Sequence, residues 1–195
     1  MAKVEDGLAR FHALSDGIFA VVITVMVLAF KPPTGHNFRA LIGLWPDLIS
    51  YAVSYAFIAV VWLNHHSVLR NAQHLTGTLA LANFANLFAI SFIPFATDWL
   101  AESEMATFPL TLYAFVFLLV QGTYMVLMWE SFSHLPDGSD SRSRKWQWFR
   151  AWIMLAVFLI STVGVIMPAF FRFILLASFL ILYCRPDPFQ RTNRS

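Results

Sequence analysis

The sequence predicts an all-α integral membrane protein, a single domain over residues 1–195 with six transmembrane helices, and three observations lead there. Of its 195 residues 58% are hydrophobic and only 12% charged, about half the charged share of an ordinary soluble domain. The apolar residues fall in continuous runs of roughly 20, and within hydrocarbon such a run satisfies its backbone polar groups by closing into a helix. The basic residues, finally, collect on one side of the alternating loops that those runs define.

The first span is expected at about 15–30, ended by Lys31-Pro32-Pro33. No small-residue cleavage site follows Leu28 before that point, so the run reads as retained and not as a secretory signal. The second covers about 44–69, opened by Trp45-Pro46 and closed by Arg70. The third covers about 75–100, with a kink expected at Pro94 because proline cannot donate to the preceding turn. The fourth covers about 108–129, with Pro109 in its first turn. The serine-rich stretch 133–145 reads as a cytoplasmic loop. The fifth and sixth, about 146–167 and 169–184, are separated by Pro168, and Arg172 must either snorkel or find a partner.

Six spans put both termini on one side. On that side lie Lys3, Arg10, Arg70, Arg142, Arg144, Lys145, Arg150, Arg185, Arg191 and Arg194, ten of the 13 basic residues; Lys31, Arg39 and Arg172 lie on the other. Cytoplasmic loops carry the excess of Lys and Arg. The termini are therefore placed in the cytoplasm of a multi-pass cell-membrane protein, and the net charge of +2 needs no nucleic acid to explain it. A single cysteine, Cys184, excludes an internal disulfide and a multi-cysteine metal site.

Polar residues within spans carry most of the functional information. Asp16 is costly at the membrane edge unless paired, with Arg10 or a histidine of another helix as candidate partner; alternatively Ser15 and Asp16 cap the first helix. Residues three and four apart share a helix face, so Gly17, Ile18, Val21, Thr24, Val25 and Leu28 form one stripe. That stripe is either buried packing or, arranged about an axis, a narrow pore with apolar constrictions.

The second span ends in Trp62-Leu63-Asn64-His65-His66. Adjacent histidines diverge by about a hundred degrees on a helix, so the pair is a poor metal site, and one of them is expected to meet Asp16 or Ser15. Asn83 and Asn86 are expected to bond across helices. Trp45, Trp99, Trp129, Trp146 and Trp148 lie near span ends, as an interfacial belt requires. No phosphate loop, GxSxG or HExxH occurs, so no enzyme or cofactor is implied.

These residues resemble the transmembrane protein 175 family of potassium channels. Its first-helix signature, Arg-x-x-x-Phe-Ser-Asp-Gly with a later threonine, is matched by Arg10, Ser15, Asp16, Gly17 and Thr24, with Leu14 in place of the phenylalanine. Its second-helix ending is similar to Trp62, Asn64, His65 and His66, and its third-helix pattern to Asn83, Asn86 and Phe92-Ile93-Pro94-Phe95. The resemblance implies a homotetramer in membrane lipid, with the first helices lining a central pore selective for K⁺ over Na⁺. It places the narrowest ring at Val21, with Thr24, Val25 and Leu28 further along and Ile18 on the same face. It also implies a polar network of Arg10, Ser15, Asp16, Trp62, Asn64, His65, His66 and Asn83 that holds the pore helix. Two alternatives stay open: a proton-conducting channel of the same fold, and a non-conducting membrane enzyme or scaffold built on Asp16, His65 and His66.

Overall fold

The computed structural model describes residues 2–33, 35–70, 72, 74–133 and 141–178. Its elements are α1 (Ala2–Leu28), α2 (Phe38–Ile42), α3 (Trp45–Leu69), α4 (Gly77–Ile90), α5 (Ile93–Glu102), α6 (Thr107–Ser133), α7 (Ser141–Val163) and α8 (Ala169–Ala177). No strand occurs among the described residues. Among the described residues, five stretches are long and apolar enough to cross a bilayer: Gly7–Leu28, Trp45–Leu69, Gly77–Glu102, Thr107–Ser133 and Arg144–Val163. The sixth expected span, 169–184, begins with α8 and from residue 179 onward lies outside the described residues.

The boundaries correct the sequence expectation in three places. The first helix begins at Ala2 and not near residue 15, so Ser15 and Asp16 lie in mid-helix and cap nothing. Ser15 shows why the helix continues through it: its hydroxyl donates back to Phe11 O at 3.2 Å, an internal bond that leaves the turn intact. The fifth helix begins at Ser141, so residues 141–145 of the expected loop are helical. That helix ends at Val163, short of Pro168. At Gly164 the backbone closes so tightly that an added Cβ would lie 2.6 Å from Ile160 O, a separation only glycine permits.

The third span breaks into α4 and α5 at Ser91 and Phe92. Pro94 has no N–H for Ile90 O and its ring crowds that carbonyl, which places the break one turn ahead of the proline. Thr76 caps the start of α4, its hydroxyl accepting from Leu79 N at 3.1 Å.

α6 is the central post and packs against α3, α4, α5, α7 and α8. Leu110, Tyr113, Ala114, Phe117, Val120, Leu127 and Met128 along it are fully buried, as expected of a helix apolar all round. Phe57 of α3 stacks on Phe117 at 3.8 Å between ring centroids, and Phe158 of α7 meets both rings edge-on. Lipid tails are as apolar as these side chains, so helix association rests on close packing and interhelical hydrogen bonds, each worth about 0.6 kcal/mol.

Those bonds are distributed along the bundle. Asn86 Nδ2 donates to Val120 O and Thr123 Oγ1, both at 3.0 Å, and Gln121 Nε2 donates to Ala151 O at 3.1 Å. Tyr113, Ser54 and Thr97 form a buried hydroxyl chain with 2.8 Å links, oriented by the bond from Thr97 to Ile93 O at 2.7 Å. Arg172 does not snorkel. It is fully buried and joins three helices, donating from Nε to Ser161 O at 2.9 Å and from Nη2 to Thr111 Oγ1 at 2.7 Å.

The turn after α5 is closed by Glu104 N to Ala101 O and Met105 N to Leu100 O, with φ of 52° at Glu104 and 62° at Met105. A side chain is strained in that left-handed region. Exposed Glu104 is therefore a site where Glu104→Gly is expected to raise stability by about 1 kcal/mol. The check is the thermal unfolding midpoint in detergent, where a fall would show that the Glu104 side chain contributes more than the strain costs.

Candidate functional site: the first helix and its polar anchor

α1 has two distinct faces. Phe11, Ser15, Phe19, Val22 and Met26 recur at helical spacing and are all buried against the bundle. On the other side Leu14, Gly17, Val21, Thr24, Val25 and Leu28 are exposed, Val21 by 59% and Leu28 by 79%, while Ile18 is half-buried at the border. The Thr24 hydroxyl lies within 3.0 Å of Ala20 O and 2.9 Å of Val21 O. Its proton is committed to its own helix, so the lone pairs of Oγ1 remain on the exposed side.

The buried face is anchored by a chain whose proton positions follow from its first member. Because Ser15 gives its only proton to Phe11 O, it must accept from Asn83 Nδ2, which lies 3.0 Å away. That orients the amide so that Asn83 Oδ1 faces His65 Nε2 at 2.6 Å. His65 therefore carries its proton on Nε2 and donates. Ser15, Asn83 and His65 are all buried, and Phe19 closes edge-on over the imidazole with ring centroids 5.1 Å apart.

A second contact sits one residue on. Trp62 Nε1 donates to Asp16 Oδ1 at 2.8 Å, and the Trp62 ring also lies beside His66, which meets His12 edge-on with centroids 6.2 Å apart. The expected partners are thus corrected. Asp16 is met by Trp62 and not by Arg10 or a histidine, and His65 reaches Ser15 only through Asn83. The cause is the hundred-degree step between neighbours on a helix, which sends Ser15 toward α4 and Asp16 along α3.

Two of the expected network residues stand apart. Asn64 donates to Val60 O of its own helix at 2.7 Å, and Arg10 is exposed and joins none of these bonds. Among the described residues no group of three or more His, Cys, Asp or Glu is placed to hold a metal ion.

At the far end of α1, Lys31 pairs with Glu102 at the end of α5. Sequence reasoning missed this pair, since nothing local links positions 71 residues apart. The hydrogen bond to Glu102, aided by its charge, holds the Lys31 pKa above the usual lysine range. The lysine side of this link therefore persists through neutral pH and is lost only as pH rises through that raised value.

The described helices and this two-faced α1 define a multi-pass α-helical membrane protein. Residues 10–94 match the family described as the endosomal/lysosomal potassium channel TMEM175. A potassium channel of Chryseobacterium sp. (strain P1-3) is 32% identical over 118 residues, covering 60% of this chain and 62% of its own. Another from Chamaesiphon minutus is 33% identical over 128 residues, covering 61% and 63%. The mouse endosomal/lysosomal proton channel TMEM175 is 27% identical over 99 residues, 45% of this chain and 20% of its own.

The crystal structure of a lysosomal potassium-selective channel TMEM175 homolog from Chamaesiphon minutus has the same fold. Its TM-score is 0.78 at 23% identity, over 92% of this chain and 97% of that one. The chain is thus similar to the TMEM175 family over residues 10–94, shares the fold of a bacterial TMEM175 homolog, and spans less than two thirds of the length of the bacterial potassium channels it matches.

The anchor is testable by cutting one bond. Trp62→Phe removes the donor to the half-buried Asp16 carboxylate, at an expected cost of about 0.5–1.5 kcal/mol. Asp16→Asn keeps an acceptor oxygen but loses the charge, and a smaller loss is expected. Both should appear as reduced yield of folded protein and a lower unfolding midpoint. A variant that folds and assembles normally but changes only ion preference would show that Asp16 acts on the ion.

Proposed function

We propose that the protein is a passive cation channel favouring K⁺ over Na⁺, formed by four copies whose α1 helices surround a central pore. The observation that carries this reading is the exposed stripe on α1. A helix anchored by a buried polar chain on one side leaves Val21, Thr24, Val25 and Leu28 uncovered in the single subunit, and one subunit cannot enclose a pore with them.

Arranged about an axis, the stripe gives apolar rings at Val21, Val25 and Leu28 with a ring of threonine oxygens between them. An ion must shed part of its hydration to pass an apolar ring, and such a ring can close by dewetting. The Thr24 oxygens, acceptors on their exposed side, favour cations over anions. The ion moves down its electrochemical gradient, and no chemical step is involved. On this reading Ser15, Asp16, Trp62, His65 and Asn83 hold α1 in place, with His66 packed beside them, and both termini face the cytoplasm. The potassium-channel names of the bacterial relatives support the choice of ion.

A second reading is proton conduction through the same pore. It is favoured by the proton-channel name of the mouse relative and by the approach of His12 to His66 one helical turn from Asp16. Reversal potentials under separate K⁺ and H⁺ gradients distinguish the two.

The decisive experiment is flux from liposomes holding the purified protein, with Val21→Ala beside the wild type. A K⁺ flux larger than the Na⁺ flux is expected, raised severalfold by Val21→Ala because the narrowest ring widens. No flux of K⁺, Na⁺ or protons from verified oligomers would remove the channel reading.

A further inference from the structure

α1 lies in a groove between α3 on one side and α4 with α5 on the other. Both flanking elements carry exposed apolar faces directly beside it. On α3 the face includes exposed Tyr55 and Trp62, with the small, half-buried Ala59 between them; on α4 and α5 it includes Phe84, Phe88 and Phe95, with Phe88 65% exposed. Phe84 touches Phe11 of α1 edge-on, and Trp62 holds Asp16 of α1, so each face continues from the edge of the pore helix.

We propose that these two faces are the halves of one heterologous interface: Tyr55, Ala59 and Trp62 of one copy receive Phe95, Phe88 and Phe84 of the next. The inference rests on the pore reading above, because it takes the α1 stripe as facing the axis. Once α1 faces an axis shared by more than two copies, its left and right flanks must meet neighbours, and unlike faces must meet for the ring to close.

Depth supports the pairing. A rotation about the membrane normal leaves every residue at its own depth, and two hydrogen bonds within the subunit show which depths agree. His65 is level with Asn83 and Ser54 with Thr97. On that scale Tyr55 falls level with Phe95 and Ala59 close to Phe88. A bulky ring thus meets a small residue midway along the interface, the arrangement that lets membrane helices approach closely. Two α4 faces brought together would instead oppose Phe88 to Phe88. The exposed apolar residues of α7, such as Trp152, lie on a helix that does not flank α1 and are left to lipid.

The test is disulfide trapping in native membranes, after Cys184→Ser removes the only cysteine. Ala59→Cys combined with Phe88→Cys should, on mild oxidation, give a covalent ladder rising to the tetramer, and neither change alone should crosslink. Tyr55→Cys with Phe95→Cys tests the same interface if the first pair fails to accumulate.

Dimers formed by either single variant would mean that like faces meet, and would overturn the proposal. So would an absence of crosslinks from both pairs in protein that light scattering shows to be tetrameric, a result that leaves the pore reading standing. Protein that is monomeric under every condition would remove the pore reading and this interface with it.

Discussion

Hydrocarbon offers no hydrogen bonds, and this structure is organised by that constraint. It forces the backbone of every long apolar run into helix, and it penalises any polar side chain inside a span that lacks a partner within the protein. The chain from Phe11 O through Ser15 and Asn83 to His65 supplies such partners, with the proton of each of its three links assigned. It also joins α1, α4 and α3, so the same bonds that satisfy the polar groups fix the orientation of the first helix about its own axis.

Orientation is what gives α1 its two roles. With Ser15 turned inward, Phe19, Val22 and Met26 follow it into the bundle at helical spacing, and Val21, Thr24, Val25 and Leu28 are left outside. The polar anchor and the candidate pore lining are therefore opposite sides of one helix. A change in the anchor would rotate or loosen the lining without touching it. The pair of Lys31 with Glu102 ties the other end of this segment to α5, but it is exposed and screened by salt, and the buried chain is the stronger constraint.

The remaining bundle supplies a rigid wall behind α1. α6 is buried along nearly its whole length, and its Tyr113 and Phe117 contact α3, while Val120 and Thr123 take the Asn86 amide of α4. Arg172 ties α8 to α6 and α7 through a carbonyl and a hydroxyl. Its guanidinium has no carboxylate partner among the described residues, which is affordable only where neutral acceptors are held in place by packed helices.

The sequence by itself determined that the chain is helical and membrane-embedded, where most spans lie, and that Asp16, His65 and Asn83 needed partners. Each of these is a property of a residue or a run facing hydrocarbon, independent of what stands next to it. Boundaries were less legible: α1 extends back to Ala2 and α7 to Ser141, because polar residues at a span end can still be helical once they reach water. The tertiary structure alone decided which partner each polar group takes. Trp62 meets Asp16, and Asn83 stands between Ser15 and His65, because those choices depend on how faces a hundred degrees apart on one helix meet particular faces of others. Such pairings belong to two helices at once, and no single stretch of sequence contains both.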